Sequence, residues 1–421
     1  MISNKKIKIS IIGLGYIGLP LLYELSKHFS VNGIDNKLER VSMLKRGIDT
    51  NNQLTKYQLI KLKNNLFTDF SSIKKSNVYI ITVPTPVFQN NKPNINALVS
   101  STKSVSKIIS IGDTVIYEST VYPGLIEDLA KKYIANNKFI YNKTFFLGYS
   151  PERMNPGDKI HTLKTITKIV SGSDQKTTKL LEKIYSKVCD KIHVASTIKI
   201  AESSKIIENV QRDINIALVN EFSQLFFKLG VPFRDVLEAA KTKWNFIDFR
   251  PGIVGGHCIG VDPYYLTYIA KKNKHNPKLI LNGRTINDKM YVYITKRILS
   301  FSKKNKQNTD KINLLLLGLT FKENCNDIRN SQSIRLYHHL KKKFKNVYAY
   351  EPNINNKISH PELKNINMIK KIDKKFDIIV LSVAHKEFMF LNKNKKILNN
   401  KYSFIFDIKW FLKPHSKIVY L

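Results

Sequence analysis

Cys258 lies in a glycine-rich run, Pro251-Gly-Ile-Val-Gly255-Gly256-His257-Cys258-Ile-Gly260-Val-Asp262. Glycine lets backbone N–H groups approach a bound group closely. A cysteine in such a loop is a candidate nucleophile, since nearby cations favour the thiolate. The other reading of Cys258 is a small side chain packed in a tight loop. His257 reads equally as a base, a ligand contact or a packed ring. Upstream, Ala201-Glu-Ser-Ser-Lys205-Ile-Ile-Glu-Asn209-Val-Gln-Arg212 spaces Lys205, Asn209 and Arg212 at i, i+4, i+7, on one helix face. Such a row of donors binds phosphate or stabilises an oxyanion, and its plainer reading is a solvated face. In Ser150-Pro-Glu152-Arg153 a carboxylate follows an expected strand, as an acid/base candidate or as half of a surface Glu–Arg turn. Glu118-Ser-Thr120 ends another strand.

The best-defined site is Gly13-Leu-Gly15-Tyr16-Ile17-Gly18, which follows one expected strand and opens a helix. The first glycine permits the turn, the second admits a pyrophosphate, and the third packs helix on strand. The helix N-terminus adds N–H donors and positive dipole. Asp35 ends the next strand, where a carboxylate accepts the adenine-ribose hydroxyls of NAD and repels a 2′-phosphate. Lys37 and Arg40 nearby leave room for NADP.

These groups need a frame. Ile7–Ile12, Ser30–Ile34, Val78–Val83 and Thr114–Tyr117 are expected strands, with helices over 17–29, 38–46 and 98–109. Alternating β and α elements imply a doubly wound parallel sheet. Phe145–Leu147 and Lys168–Ser171 read as later strands of that unit. Ile198–Leu229 carries apolar residues at helical spacing with no Gly or Pro. Helical patterning continues to about Ser302, and strand–helix alternation resumes from Lys311. The expected architecture is α/β: two Rossmann-like doubly wound domains, 1–196 and 303–421, joined by a central helical domain, 197–302. Ile12-Gly13-Leu14-Gly15 and Leu317-Gly318-Leu319-Thr320 make the outer domains weakly alike. The lysine- and asparagine-rich stretches 303–311 and 392–401 read as solvated loops.

The 421 residues include 70 Lys plus Arg against 32 Asp plus Glu, a formal charge of +38. That balance is the footprint of a polyanion binder. It equally follows from A/T-rich codons, since Lys, Asn and Ile dominate the composition. No nucleic-acid reader motif accompanies it, so no nucleic-acid partner is expected. Three cysteines, Cys189, Cys258 and Cys325, are too scattered for a disulfide framework or a zinc site. No metal is called for, and a reducing cytoplasm is expected. The basic start and apolar 9–22 resemble a signal peptide, but that stretch holds three glycines and a proline. No run is long enough to span a bilayer, so no membrane insertion is expected.

The chain resembles the UDP-glucose/GDP-mannose dehydrogenase family over nearly its whole length. The motifs that carry this are the N-terminal glycine turn, Val83-Pro-Thr85-Pro86, Glu118-Ser-Thr120, Ser150-Pro-Glu152-Arg153, the Lys205/Asn209 helix, Gly256-His-Cys258 with Asp262, and Lys322…Asp327-Ile-Arg329-Asn-Ser331. Thr242-Lys-Trp-Asn-Phe246…Phe249-Arg250 through Asp262 is similar to the branch acting on UDP-N-acetylhexosamines, which supplies uronic acids for capsules and O-antigens. A UDP-glucose 6-dehydrogenase or another nucleotide-sugar dehydrogenase is the alternative. The resemblance implies a four-electron, NAD-dependent oxidation of C6 through a Cys258 thiohemiacetal and thioester. Lys205 and Asn209 would stabilise the oxyanion. Asp262 with Thr120 would hold a water or first proton, and Glu152 would assist hydrolysis, the roles of Glu152 and Asp262 being exchangeable. The same resemblance implies cofactor contacts from Gly13, Gly15, Tyr16, Ile17, Gly18, Asp35, Arg40, Thr85, Thr120 and Arg329. Substrate contacts would come from Glu152, Arg153, Lys205, Asn209, Arg212, Arg250, Gly255 and Lys322. It also implies a homodimer or higher homo-oligomer built on the long central helix.

Overall fold

The computed structural model describes residues 6–73, 75–152, 162–256, 258–305, 308–354, 361–394 and 396–421. The chain forms two compact units, 1–208 with 264–273, and 209–263 with 274–421. In the first, strands β1 (Lys8–Ile12), β2 (Ser30–Ile34), β3 (Leu66–Phe67), β4 (Val78–Ile81), β5 (Thr114–Tyr117), β6 (Phe146–Tyr149), β7 (Lys168–Gly172) and β8 (Ile192–Val194) form one sheet. Its order is β3-β2-β1-β4-β5-β6-β7-β8. β4 and β5 are buried along their whole length, as strands covered on both faces must be. One apolar core packs Leu19, Leu22 and Leu25 of the Gly18–Ser26 helix with Leu181 and Ile184 of the Gln175–Tyr185 helix and the strands between.

The sheet is parallel except between β6 and β7, which run antiparallel with Tyr149 opposite Ser171. An antiparallel neighbour starts at the end where the previous strand finished. Extending that register sets position 152 opposite position 168. The ends of β5 and β6 therefore meet the start of β7.

In the second unit, β9 (Asn313–Leu317), β10 (Asn346–Tyr350), β11 (Ile378–Leu381), β12 (Phe404–Asp407) and β13 (Ile418–Tyr420) form a parallel sheet of order β10-β9-β11-β12-β13. Apolar clusters cover both of its faces. The long helix runs Ile198–Lys228, one residue short of the expected Leu229. The short strands β3, β8 and β13 were not anticipated, because two or three residues show no periodicity. No helix among the described residues is long and apolar enough to cross a membrane.

Candidate active site

The dinucleotide turn has the backbone its glycines require. Gly13 has φ +99° and donates its N–H to Ile34 O at 2.8 Å. A Cβ on Gly18 would stand 1.9 Å from Gly13 O, whereas one on Gly15 would meet nothing within 4 Å. The first contact is helix against turn, and the second leaves open space for a ligand. Asp35 Oδ2 accepts the Leu14 N–H at 2.9 Å, and Oδ1 accepts the Lys37 N–H at 3.0 Å. Arg40 directs its guanidinium inward, to Leu14 O at 3.1 and 2.9 Å, Thr50 Oγ1 at 3.1 Å and Asp49 Oδ1 at 2.9 Å. It braces the turn through the carbonyl beside Gly15. Tyr16 and Ile17 lie half-buried at the helix start. Thr85 offers its carbonyl to the Tyr265 hydroxyl at 2.9 Å, and Thr120 is half-buried after β5. The open glycine, the helix N-terminus and the acceptor at Asp35 suit a dinucleotide.

A buried charge cluster stands at the β5–β6–β7 junction. Lys168 Nζ lies 2.7 Å from Glu152 Oε2 and 3.1 Å from Glu118 Oε2. The Tyr185 hydroxyl donates to Glu118 Oε1. Burial pushes the Glu118 carboxyl upward, and Lys168 and Tyr185 pull it back. Burial also opposes charging Lys168, but the two glutamates outweigh it and hold the ammonium above the usual lysine range. Lys168 and Tyr185 escaped the sequence reading: a lone lysine opening a short strand has no spacing signal.

At the start of the long helix, Glu202 accepts the Gly124 and Ile126 N–H groups, the latter at 3.1 Å, and so caps the Leu125–Tyr133 helix. Burial pushes its carboxyl up to about 7. Glu202 is one turn before Lys205, which is 6 % exposed.

In the second unit Asn209 Nδ2 donates to Asp262 Oδ2 at 2.6 Å, both side chains being buried. The Cys258 carbonyl accepts the Val261 N–H at 3.1 Å and the Asp262 N–H at 2.9 Å, while the thiol side chain is exposed. One tight turn therefore joins the candidate nucleophile to the carboxylate that Asn209 orients. The preceding loop is fixed by Asn220, which was not singled out from sequence. Its amide donates to Gly252 O at 3.0 Å and accepts the Gly252 N–H at 2.8 Å. A Cβ on Gly255 would stand 2.8 Å from Asn330 O, and one on Gly256 2.6 Å from the Phe321 ring. The 321–332 loop and the glycine loop are thus brought together, and Lys322 lies half-buried in the former. Arg212 and Arg250 are exposed. Arg329 forks onto Asp327, with Nε 2.9 Å from Oδ1 and Nη2 2.5 Å from Oδ2, so its charge is already met within its own loop. The Cys325 thiol donates to Lys322 O at 3.2 Å and burial raises it, which suits a packed side chain rather than a thiolate. Arg153 and His257 lie outside the described residues.

The sequence matches three models in chain order: the UDP-glucose/GDP-mannose dehydrogenase family NAD binding domain at residues 7–189, its central domain at 199–289 and its UDP binding domain at 315–414. The chain belongs to the UDP-glucose/GDP-mannose dehydrogenase family. It is an NAD-dependent nucleotide-sugar dehydrogenase. A UDP-N-acetyl-D-glucosamine 6-dehydrogenase of Pseudomonas aeruginosa is 40% identical over 412 residues, covering 97% of this chain and 98% of that protein. One of Salmonella typhi is 39% identical over 425 residues, covering 100% of both. Among solved structures, the UDP-D-ManNAc dehydrogenase of Pyrococcus horikoshii is similar with a TM-score of 0.85 at 28% identity, covering 98% of each chain. In this family member the glycine turn, Asp35 and the helix N-terminus lie within the NAD binding domain, and Lys322 and Arg329 within the UDP binding domain.

Proposed function

We propose that this dehydrogenase oxidises C6 of a UDP-N-acetylhexosamine, UDP-GlcNAc or UDP-GalNAc, from alcohol to carboxylic acid. The observation that carries the reading is the exposed Cys258 thiol one turn from Asp262, whose carboxylate Asn209 holds. Full-length similarity to two UDP-N-acetyl-D-glucosamine 6-dehydrogenases supports the sugar.

The glycine turn and Asp35 would hold NAD, which would supply a hydride acceptor for each of the two oxidations. In the first, Asp262, with Thr120, receives the C6 hydroxyl proton through a positioned water. Cys258 Sγ then adds to the aldehyde carbon, and the thiohemiacetal keeps the intermediate from leaving. Lys205 and Asn209 donate to the C6 oxygen as negative charge develops on it. Loss of the second hydride leaves a thioester. Glu152 accepts a proton from the water that attacks it, the C6–S bond breaks, and Cys258 departs as thiolate. Arg212, Arg250 and Lys322 offer cations to the UDP phosphates, with Gly255 admitting the ligand to the backbone.

The long helix exposes Ile200, Ile207, Leu218 and Leu225, whose spacings of seven, eleven and seven residues return to one face. A second copy covering that stripe makes a homodimer through 197–302, and the enzyme works in the cytoplasm, supplying uronic acid for surface polysaccharide. Leu218→Glu with Leu225→Glu should convert the dimer to monomer by light scattering.

The deciding experiment is turnover on a panel of UDP-sugars with NADH counted. Two NADH per UDP-N-acetylhexosamine are expected, and Cys258→Ala should abolish acid formation. A higher kcat/KM on UDP-glucose, or acid formed by the Cys258 variant at the wild-type rate, overturns the reading.

A further inference from the structure

Glu152 does not stand alone in the first unit. Its Oε2 receives Lys168 Nζ at 2.7 Å, and the same ammonium reaches Glu118 Oε2 at 3.1 Å. All three side chains are at least nine-tenths buried. Tyr185 donates to the other Glu118 oxygen, so Glu118 accepts from two donors, while burial still holds its carboxyl above the usual range. One cation is therefore shared between two carboxylates, and the group is one negative charge in excess when both are ionised. Out of water such an excess is costly, and a proton taken up by either carboxylate removes it. The two carboxylates compete for one ammonium, so the charge on each raises the proton affinity of the other.

Among the described residues, the other titratable groups that face the cluster do not compete for this role. The Tyr185 phenol, on the Gln175–Tyr185 helix, is held well above its usual range by burial and by Glu118, and stays a neutral donor. The Cys189 thiol, beyond that helix, is pushed up to about 12 by burial, against the pull of Lys168, and stays neutral. Asp190 is next to it and acts on Cys189 from the exposed surface. The antiparallel turn of the sheet at β6–β7 is what brings Lys168 across from Glu152.

We propose that Lys168 and Glu118 are an opposed pair of positioning residues that set how readily Glu152 accepts a proton during thioester hydrolysis. Lys168 fixes Glu152 Oε2 and favours its anion. Glu118 draws on the same ammonium and weakens that hold, which leaves Glu152 basic enough to take a proton from water. Hydrolysis is then balanced within the site: water gives hydroxide to C6 and its proton to Glu152, and the electron pair of the C6–S bond goes to sulfur. The inference rests on the proposed role of Glu152, so the experiment separates the two.

The readout is the fraction of enzyme carrying the Cys258-linked sugar acyl group during turnover, measured by acid quench and intact-protein mass across pH 5 to 9. In the wild type the adduct accumulates at low pH, where Glu152 is protonated, and clears above a midpoint. Lys168→Met removes a positive neighbour, raises the proton affinity of Glu152 and should move the midpoint up by about one pH unit or more. Glu118→Gln removes a negative neighbour at nearly constant shape and should move it down by a similar amount. Lys168→Arg keeps the charge and should leave the midpoint near wild type. A side chain that merely supports the fold would lower the rate without moving the midpoint in opposite directions. If Lys168→Met does not fold, the downward shift in Glu118→Gln and the unmoved Lys168→Arg decide alone. Glu152→Gln should accumulate the adduct at every pH. An adduct that clears as in wild type in Glu152→Gln removes the role of Glu152 itself. Persistent adduct in Glu152→Gln with unmoved or same-direction midpoints in the two charge variants overturns the opposed pair and leaves Glu152 in place.

Discussion

Glu202 shows how one side chain can tie the geometry of a candidate site to pH. It lies on the long helix three residues before Lys205, and its carboxylate holds the first N–H groups of the helix that follows the Thr120 segment. Burial outweighs those hydrogen bonds and raises the carboxyl to about 7. The folded state therefore binds this proton more tightly than the unfolded chain does. Stability from this group is full below the unfolded value near 4.5 and is lost as pH rises through about 7. The size of the loss is about 3 kcal/mol between pH 4 and pH 8. Glu202→Gln keeps the shape and removes the titration. The stability advantage of wild type over this variant, from urea unfolding, should shrink by that amount between pH 4 and pH 8. A constant difference across that range would show that Glu202 is ionised throughout.

At the scale of elements, two turns of the same design serve the two sheets. Gly13 and Gly318 have φ of +99° and +88°, and each donates its N–H to the last residue of the neighbouring strand. Asp35 then accepts the Leu14 N–H, and Glu351 accepts the Leu319 N–H at 2.7 Å. The likeness of Ile12-Gly13-Leu14 to Leu317-Gly318-Leu319 was legible because a turn needs particular residues at fixed positions. In the second turn His385 and Thr320 close around Glu351, with His385 Nε2 3.1 Å from its Oε2. That closure comes from a residue distant in sequence and had no local signal. The same contrast runs through the candidate site residues. The glycine turn and the Lys205–Asn209 row could be read from spacing, and Cys258 from its glycine context. The Lys168 cluster depends on one antiparallel strand pairing, and the Asn220 clamp on a fold-level meeting of helix and loop. The first turn yields a paired prediction. Gly18→Ala forces a Cβ to 1.9 Å from Gly13 O, so it should destabilise the protein by about 2 kcal/mol or more and weaken NAD binding with it. Gly15→Ala adds a Cβ into open space. It should leave the melting temperature of the free enzyme within about 2 °C of wild type while raising the KM for NAD about tenfold or more, because the pyrophosphate then meets a methyl group. Thermal melts with and without NAD, beside NAD titrations, separate the two. Equal loss of stability in both variants would argue that the open space at Gly15 is not the pyrophosphate position.

At the scale of the whole molecule the formal charge of +38 needs an account. Much of it sits on lysines spread along the surface, in stretches such as 341–345 and 370–375 that are distant in sequence from every site residue. The cations with a defined task are few. Arg329 is neutralised by Asp327, Arg40 by Asp49, and Lys168 by its two glutamates. Arg212 and Arg250 remain exposed. A broad positive field of this kind raises the encounter rate with an anionic ligand, and salt screens it over a Debye length of about 8 Å at physiological ionic strength. The nucleotide sugar carries its charge on a pyrophosphate, so its capture should feel the field, whereas the chemical steps at C6 act on a substrate already bound and should feel it little. Raising the ionic strength from about 50 to 300 mM should therefore lower kcat/KM for the UDP-sugar roughly three- to tenfold and leave kcat within about twofold. Replacing Arg250 by Ala should lower kcat/KM at every salt concentration and flatten the slope only slightly, because one local contact is lost and the general field remains. A kcat that falls with salt in parallel with kcat/KM would mean instead that the charge acts on the assembled site, through the Lys168 cluster or the Lys205 row, and not on the approach of the substrate.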